Sequence, residues 1–164
     1  MLDIGCGPGN STAQLPRGAI GGDPALAMLR RARKRGLPLV CLDGAALPNR
    51  TGSLDAATFH SVLYLMPHRA ATLAEVARAL RPGGRAVLLE PQRGYRPTTL
   101  GLLRALRHPR WAFTASLWHA MSALYGGGFS PDELRACLTG AGLRVLHIDE
   151  ALDGLGLRAV AEKP

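Results

Sequence analysis

The segment Leu2-Asp3-Ile4-Gly5-Cys6-Gly7-Pro8-Gly9-Asn10 runs a short apolar stretch straight into a loop with glycine at every second position. Such a loop fits one local structure: a buried strand that turns sharply and hands over to a helix starting at Asn10 or Ser11. Glycine removes the side chains that would hold a ligand away from the backbone and admits φ > 0. Amides left free at a helix start then face whatever docks there. The expected occupant is a polar small molecule bearing a carboxylate or a nucleotide.

Downstream, strand-like and helix-like stretches alternate. Strands are expected at 1–5, 19–22 (ending at Asp23), 37–42 (ending at Asp43), 54–59, 85–89, 143–148 and 156–161. Helices are expected at 11–15, 25–35, 69–80, 98–107, 111–125 and 130–139. Pro24 suits a helix start and Gly36 a stop. Pro82-Gly83-Gly84 breaks the third of these helices, and Ser130 with Glu133 has capping-box spacing. Alternation of this kind predicts an α/β fold with a mostly parallel, seven-stranded sheet and helices on both faces. In such sheets ligands bind beyond the carboxyl ends of the strands. Here those ends carry Gly5, Asp23, Asp43, Phe59-His60 and Glu90.

With 164 residues, 47% hydrophobic and 20% charged, the chain reads as one globular domain, 1–164, in which 92–128 forms a helical lid. The net charge of +8 comes from 20 basic residues, of which only Lys34 and Lys163 are lysine. That arginine excess reads as codon bias, with a functional basic surface as the alternative. Arg30-Arg31-Ala32-Arg33-Lys34-Arg35 reads as the solvated end of a helix, where cations complement the dipole. Cys6, Cys41 and Cys137 have no metal-ligand spacing, so no metal is expected, and their odd count favours a reducing compartment. With no secretory signal and no membrane-length apolar run, the expected location is cytoplasmic.

A dinucleotide fingerprint would require its third glycine at position 10, which is Asn10; the pattern present is Gly-x-Gly-x-Gly at 5, 7 and 9. In this, with Asp3 ahead of it, the sequence resembles the class I S-adenosylmethionine-dependent methyltransferases, in particular the small-molecule, type 11-like group. The resemblance continues through Gly22-Asp23-Pro24 with Ala27-Met28-Leu29, Leu42-Asp43-Gly44-Ala45, Ser53-Leu54-Asp55-Ala56, Leu80-Arg81-Pro82-Gly83-Gly84, and Phe129-Ser130 through Ala141-Gly142-Leu143. It implies a Rossmann-like doubly wound sheet and S-adenosylmethionine as cofactor. Gly5, Gly7, Gly9 and neighbouring amides would hold the methionyl end. Asp3 would position the loop and the cofactor amine, or simply satisfy loop amides. Asp23 would accept both ribose hydroxyls, or simply cap the next helix. Asp43 would accept the adenine amino group, with Ala45 against the ring. Asp55 reads as a cap or turn at the start of strand four, and Cys6 as a packing residue.

Methyl transfer is an in-line displacement that rests mainly on alignment in a dry site, and a base is needed only if the acceptor loses a proton. Of His60, Tyr64, His68, Glu90, His108 and His119, His60 is the first choice because it follows strand four. Tyr64, Trp111 and Trp118 are the expected acceptor-lining residues. The apolar helix over 111–125 reads as a buried cover, with an acceptor wall or a membrane-surface patch as alternatives. The expected partner is a small apolar or aromatic acceptor and not a nucleic acid, since no Asn-Pro-Pro-Tyr-like segment follows strand four. Relatives of this kind carry residues ahead of the first strand, and here only Met1 stands there. The readings are a mis-called start, which is preferred, a fragment, or a variant covered by another subunit in a homodimer. A non-catalytic cofactor-binding domain and a nicotinamide-dependent oxidoreductase stand as rival functions.

Overall fold

In the computed structural model, seven strands form one sheet in the order β3-β2-β1-β4-β5-β7-β6. The model describes all residues except 96–102, 104 and 105, and at 109–111 and 114 the backbone alone. The strands are β1 Leu2–Ile4, β2 Ile20–Asp23, β3 Leu39–Cys41, β4 Leu54–His60, β5 Leu80–Pro91, β6 Arg144–Ala151 and β7 Gly156–Glu162. The first five pair in parallel, and β7 runs antiparallel to both β5 and β6. The expected doubly wound, mostly parallel sheet is therefore present. Chain order runs one way from β1 to β3 and the other way from β4 to β5. Right-handed crossovers accordingly place helix α1 (Leu26–Arg33) and helix α2 (Arg69–Ala79) on opposite faces. The reversal lies between β1 and β4, the switch point at which an open α/β sheet opens a crevice.

The packed side of the sheet joins Phe59, Leu63, Leu73, Val76, Leu80, Leu88 and Phe129 to Leu134 and Leu138 of helix α4 (Pro131–Gly140). The capping box forms as the sequence predicts: Ser130 Oγ accepts the Glu133 N–H, and Glu133 Oε2 accepts the Ser130 N–H at 2.8 Å. Three expectations are corrected. The helix over 11–15 is only a 3-10 turn, Thr12–Gln14, because Pro16 and Gly18 follow at once and the Ser11 and Thr12 hydroxyls are drawn to Asp3. Pro82-Gly83-Gly84 ends the helix but does not delay the strand. Leu80 already pairs with Leu54, and 81–84 bulge out before pairing resumes at Arg85 with Ala56. Asp55 lies within β4, exposed, and forms an ion pair with Arg81 at 2.7 Å. Within 92–128, helix α3 spans Pro109–Leu124. Of the helix expected over 98–107, Leu103, Leu106 and Arg107 are helical and the remainder lies outside the described residues.

Candidate functional site

The glycine loop after β1 is a set of three different solutions. Gly5 has φ +69°, and a Cβ there would come within 2.3 Å of Val62 Cγ2. Gly9 has φ +78°, and its Cβ would meet Leu37 Cδ1 at 2.7 Å and Ala32 Cβ at 3.0 Å, so this glycine lets the loop pack on α1. Only Gly7, at φ +53°, has nothing within 4 Å of where a Cβ would stand. The glycine-loop amides are engaged within the protein. Gly5 and Cys6 donate to the Gly22 carbonyl, Gly7 to Asp23 Oδ2 at 2.8 Å, and Gly9 to the Cys6 carbonyl. With these donors spent, Gly5 and Gly7 offer an approaching ligand bare Cα atoms and carbonyls. Arg35, exposed just beyond the end of α1, also donates to the Pro8 carbonyl at 3.0 Å and to the Asn10 side chain, tying down the loop.

Asp3 is buried at 1% exposure. Its Oδ2 accepts from Thr12 Oγ1 at 2.6 Å and Ser11 Oγ at 3.1 Å; its Oδ1 accepts from Thr58 Oγ1 at 2.8 Å and lies 3.2 Å from His60 Nδ1. Burial raises its pKa, but His60 and the threonine hydroxyls outweigh that and hold it below the usual carboxylate value. An ionised carboxylate only accepts, so Nδ1 carries a proton, and in the neutral ring this leaves the lone pair on Nε2. Asp3 thus satisfies hydroxyls and an imidazole, not the loop amides. His60 proves to be the last residue of β4, with a side chain 30% exposed.

Beyond the ends of β1 and β3 lies a cavity of about 290 Å³, bounded by Ile4, Gly5, Leu42, Asp43, Ala45, Met66, His68 and Thr72, among others. Of the expected binding residues it brings together Gly5, Asp43 and Ala45. Asp43 spends Oδ1 on the Ala45 N–H at 2.9 Å, which orients it and leaves lone pairs on Oδ2. Asp23 accepts the Gly7 N–H and the Ala25 N–H, so it ties the glycine loop to the turn that leads into α1, while the helix itself has no side-chain cap. Arg78 grips Glu75 bidentately and donates to the Asn49 and Leu47 carbonyls, fastening the stretch beyond Ala45 onto α2.

The acceptor-side expectations fare differently. Tyr64 is 4% exposed and belongs to the hydrophobic core, so it presents no open wall; burial raises its hydroxyl pKa. Trp118 packs over Gly156 at the start of β7, its Cη2 3.4 Å from where a Cβ would stand. The side chain of Trp111 lies outside the described residues. His119 is exposed and meets Tyr95 edge-on, with ring centroids 5.8 Å apart. Glu90 is fully buried and accepts the N–H groups of Val62, Leu63 and Tyr64 at 2.9–3.3 Å, so it is no open base. Its desolvation pushes its pKa up to about 7, with the three amides and His60 opposing. Cys6 is buried packing, its thiol pushed up to about 11 by burial and by Asp23 and Asp3. The wall built by Met66, His68 and Thr72 had no local signature except His68, which the sequence offered only as one of several bases.

The methyltransferase domain family matches residues 2–88, just over half the chain. A demethylmenaquinone methyltransferase of Corynebacterium kroppenstedtii is 40% identical over 93 residues, covering 55% of this chain and 41% of that protein. A trans-aconitate 2-methyltransferase of Methylobacterium nodulans is 36% identical over 152 residues, covering 88% of this chain and 57% of the relative. The chain thus spans about half the length of these curated relatives. The crystal structure of a SAM-dependent methyltransferase from Methanosarcina mazei superposes with a TM-score of 0.70 at 21% identity, covering 99% of this chain and 91% of that one.

Proposed function

This chain belongs to the methyltransferase domain family, and we propose that it is an S-adenosylmethionine-dependent methyltransferase acting on a small apolar or aromatic acceptor. The observation that carries the reading is the cavity at the switch point, floored by glycine and bounded by Asp43 and Ala45. At about 290 Å³ it matches the lower end of small-molecule pockets, enough for the adenosine end of the cofactor. The residues fit that group: apolar Ile4, Leu42, Ala45 and Met66 would flank a purine, Asp43 Oδ2 would accept its amino group, and Asp23 would accept ribose hydroxyls. The side-chain-free space at Gly7 would admit the methionyl end. Bound there, S-adenosylmethionine supplies an electrophilic sulfonium methyl.

The chain's own contribution is alignment and proton removal. His60, held by Asp3 through Nδ1, presents Nε2 as the base for an acceptor that must lose a proton. An apolar acceptor is supported by helix α3, which exposes Phe113, Leu117 and Met121 and has no Asp, Glu, Lys or Arg from Trp111 to Leu124. The names of two relatives, demethylmenaquinone methyltransferase and trans-aconitate 2-methyltransferase, support a small acceptor. Calorimetry with S-adenosylmethionine, S-adenosylhomocysteine and NAD, followed by turnover on a panel of aromatic and aliphatic hydroxyl and carboxyl acceptors, tests the reading. Binding of both sulfur compounds but not NAD is expected, and the reverse selectivity overturns it. His60→Gln is expected to lower turnover about 100-fold or more while leaving S-adenosylhomocysteine affinity within about twofold. Undiminished turnover would remove His60 from the mechanism.

A further inference from the structure

Glu90, buried next to the last residue of β5, aims its carboxylate at the turn that follows β4. Oε1 accepts from Val62 N at 3.1 Å and from Leu63 N at 2.9 Å, and Oε2 from Tyr64 N at 3.3 Å. A second tie from the same strand is the Leu89 carbonyl, which accepts the Ser61 N–H at 2.7 Å. Ser61 itself is held at φ +56°, a left-handed conformation that a non-glycine residue adopts only when its surroundings impose it. The turn fixed in this way carries Val62, whose Cγ2 occupies the space that a side chain on Gly5 would need, and leads directly into Met66, Pro67 and His68 on the cavity wall. Among the described residues no cationic side chain bonds this carboxylate; burying such a group is expensive, and a neutral residue would cap amides at lower cost. We propose that Glu90 is a positioning residue for the cofactor site: by gripping three consecutive amides it seats Val62 against Gly5 and sets the separation between the glycine loop and the Met66–His68 wall.

That the wall belongs to a cofactor site rests on the reading above, whereas the grip itself does not, and the two are separable by experiment. Glu90→Gln keeps the shape, but one end of its amide is an NH₂ group, which would face a backbone N–H donor and could not accept from it. Leu88→Ala, a core truncation on the same strand, serves as the purely destabilising control. Amide hydrogen exchange on the unliganded protein reads the grip, and calorimetric titration with S-adenosylhomocysteine reads its consequence. Glu90→Gln is expected to speed exchange at Val62, Leu63 and Tyr64 at least tenfold and to weaken S-adenosylhomocysteine about tenfold. Leu88→Ala is expected to lower the melting temperature and leave affinity within about twofold. Unchanged exchange at the three amides in Glu90→Gln overturns the proposal, as does accelerated exchange with undiminished affinity. If the wild-type protein binds NAD and not S-adenosylhomocysteine while exchange still accelerates, the grip stands and the cofactor reading fails.

Discussion

Gly5 and Gly7 are both left-handed glycines two residues apart, yet the space around them differs, and this separates folding from binding. Gly5→Ala drives a methyl group to within 2.3 Å of Val62 Cγ2 on top of its φ of +69°, so the packed turn must move. Gly7→Ala meets no protein atom within 4 Å and bears only the cost of a left-handed alanine, about 1 kcal/mol. Gly5→Ala is expected to lower both the melting temperature and S-adenosylhomocysteine affinity. Gly7→Ala should shift melting by a few degrees at most yet weaken binding tenfold or more, because the methyl fills space reserved for the ligand. Equal losses of stability in the two variants would refute this division of labour. Glu90 sets a second test. Its folded pKa of about 7 stands above the ordinary 4.5, so its contribution to stability is complete below pH 4.5 and is lost as pH rises through about 7. Asp3 has the opposite sign: its lowered pKa contributes stability at neutral pH that is lost in acid. Comparison of wild type with Glu90→Gln by urea unfolding from pH 4.5 to 8 isolates the Glu90 part. Wild type is expected to lose up to about 3 kcal/mol relative to the variant over that range.

At the scale of elements, the α/β alternation was legible because period and punctuation are local properties of the chain. Asp23-Pro24 starts α1, Gly36 stops it, and Ser130 with Glu133 announces α4. The Ser130→Ala variant removes the oxygen that accepts the Glu133 N–H, and a lost N-cap costs about 1 kcal/mol. For a domain of this size that is a fall of about 2–4 °C in melting temperature, readable by calorimetry; an unchanged melt would show that the tertiary contacts of Leu134 and Leu138 alone hold the helix. What sequence could not show are links whose partners meet only through strand register. Thr58 stands 55 residues from Asp3 and reaches it because Asp3 and Thr58 are opposite one another in the β1–β4 pairing. Glu90 reaches back 26–28 residues to amides, which leave no trace in residue type. Arg35 belongs to a basic run that reads as solvated surface until the loop is folded beneath it. The glycine loop itself was visible, but its spacing alone does not reveal that two of its three glycines serve packing.

Over the whole molecule, the candidate site is a junction of separate pieces. β1 contributes Ile4, the loop after β3 contributes Asp43 and Ala45, the turn after β4 contributes Met66 and His68, and α2 contributes Thr72. A ligand in that cavity ties together both halves of the sheet across the switch point, so it binds the folded chain and has nothing to bind in the unfolded one. Stabilisation by mass action then follows: at a ligand concentration 100 times its dissociation constant the folded state gains about 2.7 kcal/mol. For a domain of this size each kcal/mol raises the melting temperature by about 2–4 °C, so saturating S-adenosylhomocysteine is expected to raise it by about 5–11 °C. The rise should grow with the logarithm of ligand concentration and fall by about half or more for Gly7→Ala at the same concentrations. It should persist in His60→Gln, because the His60 imidazole lies beside Asp3 and does not line the cavity. A shift with NAD in place of S-adenosylhomocysteine would redirect the site to another nucleotide. A shift that survives Gly7→Ala unchanged would mean that the ligand sits elsewhere than against the loop.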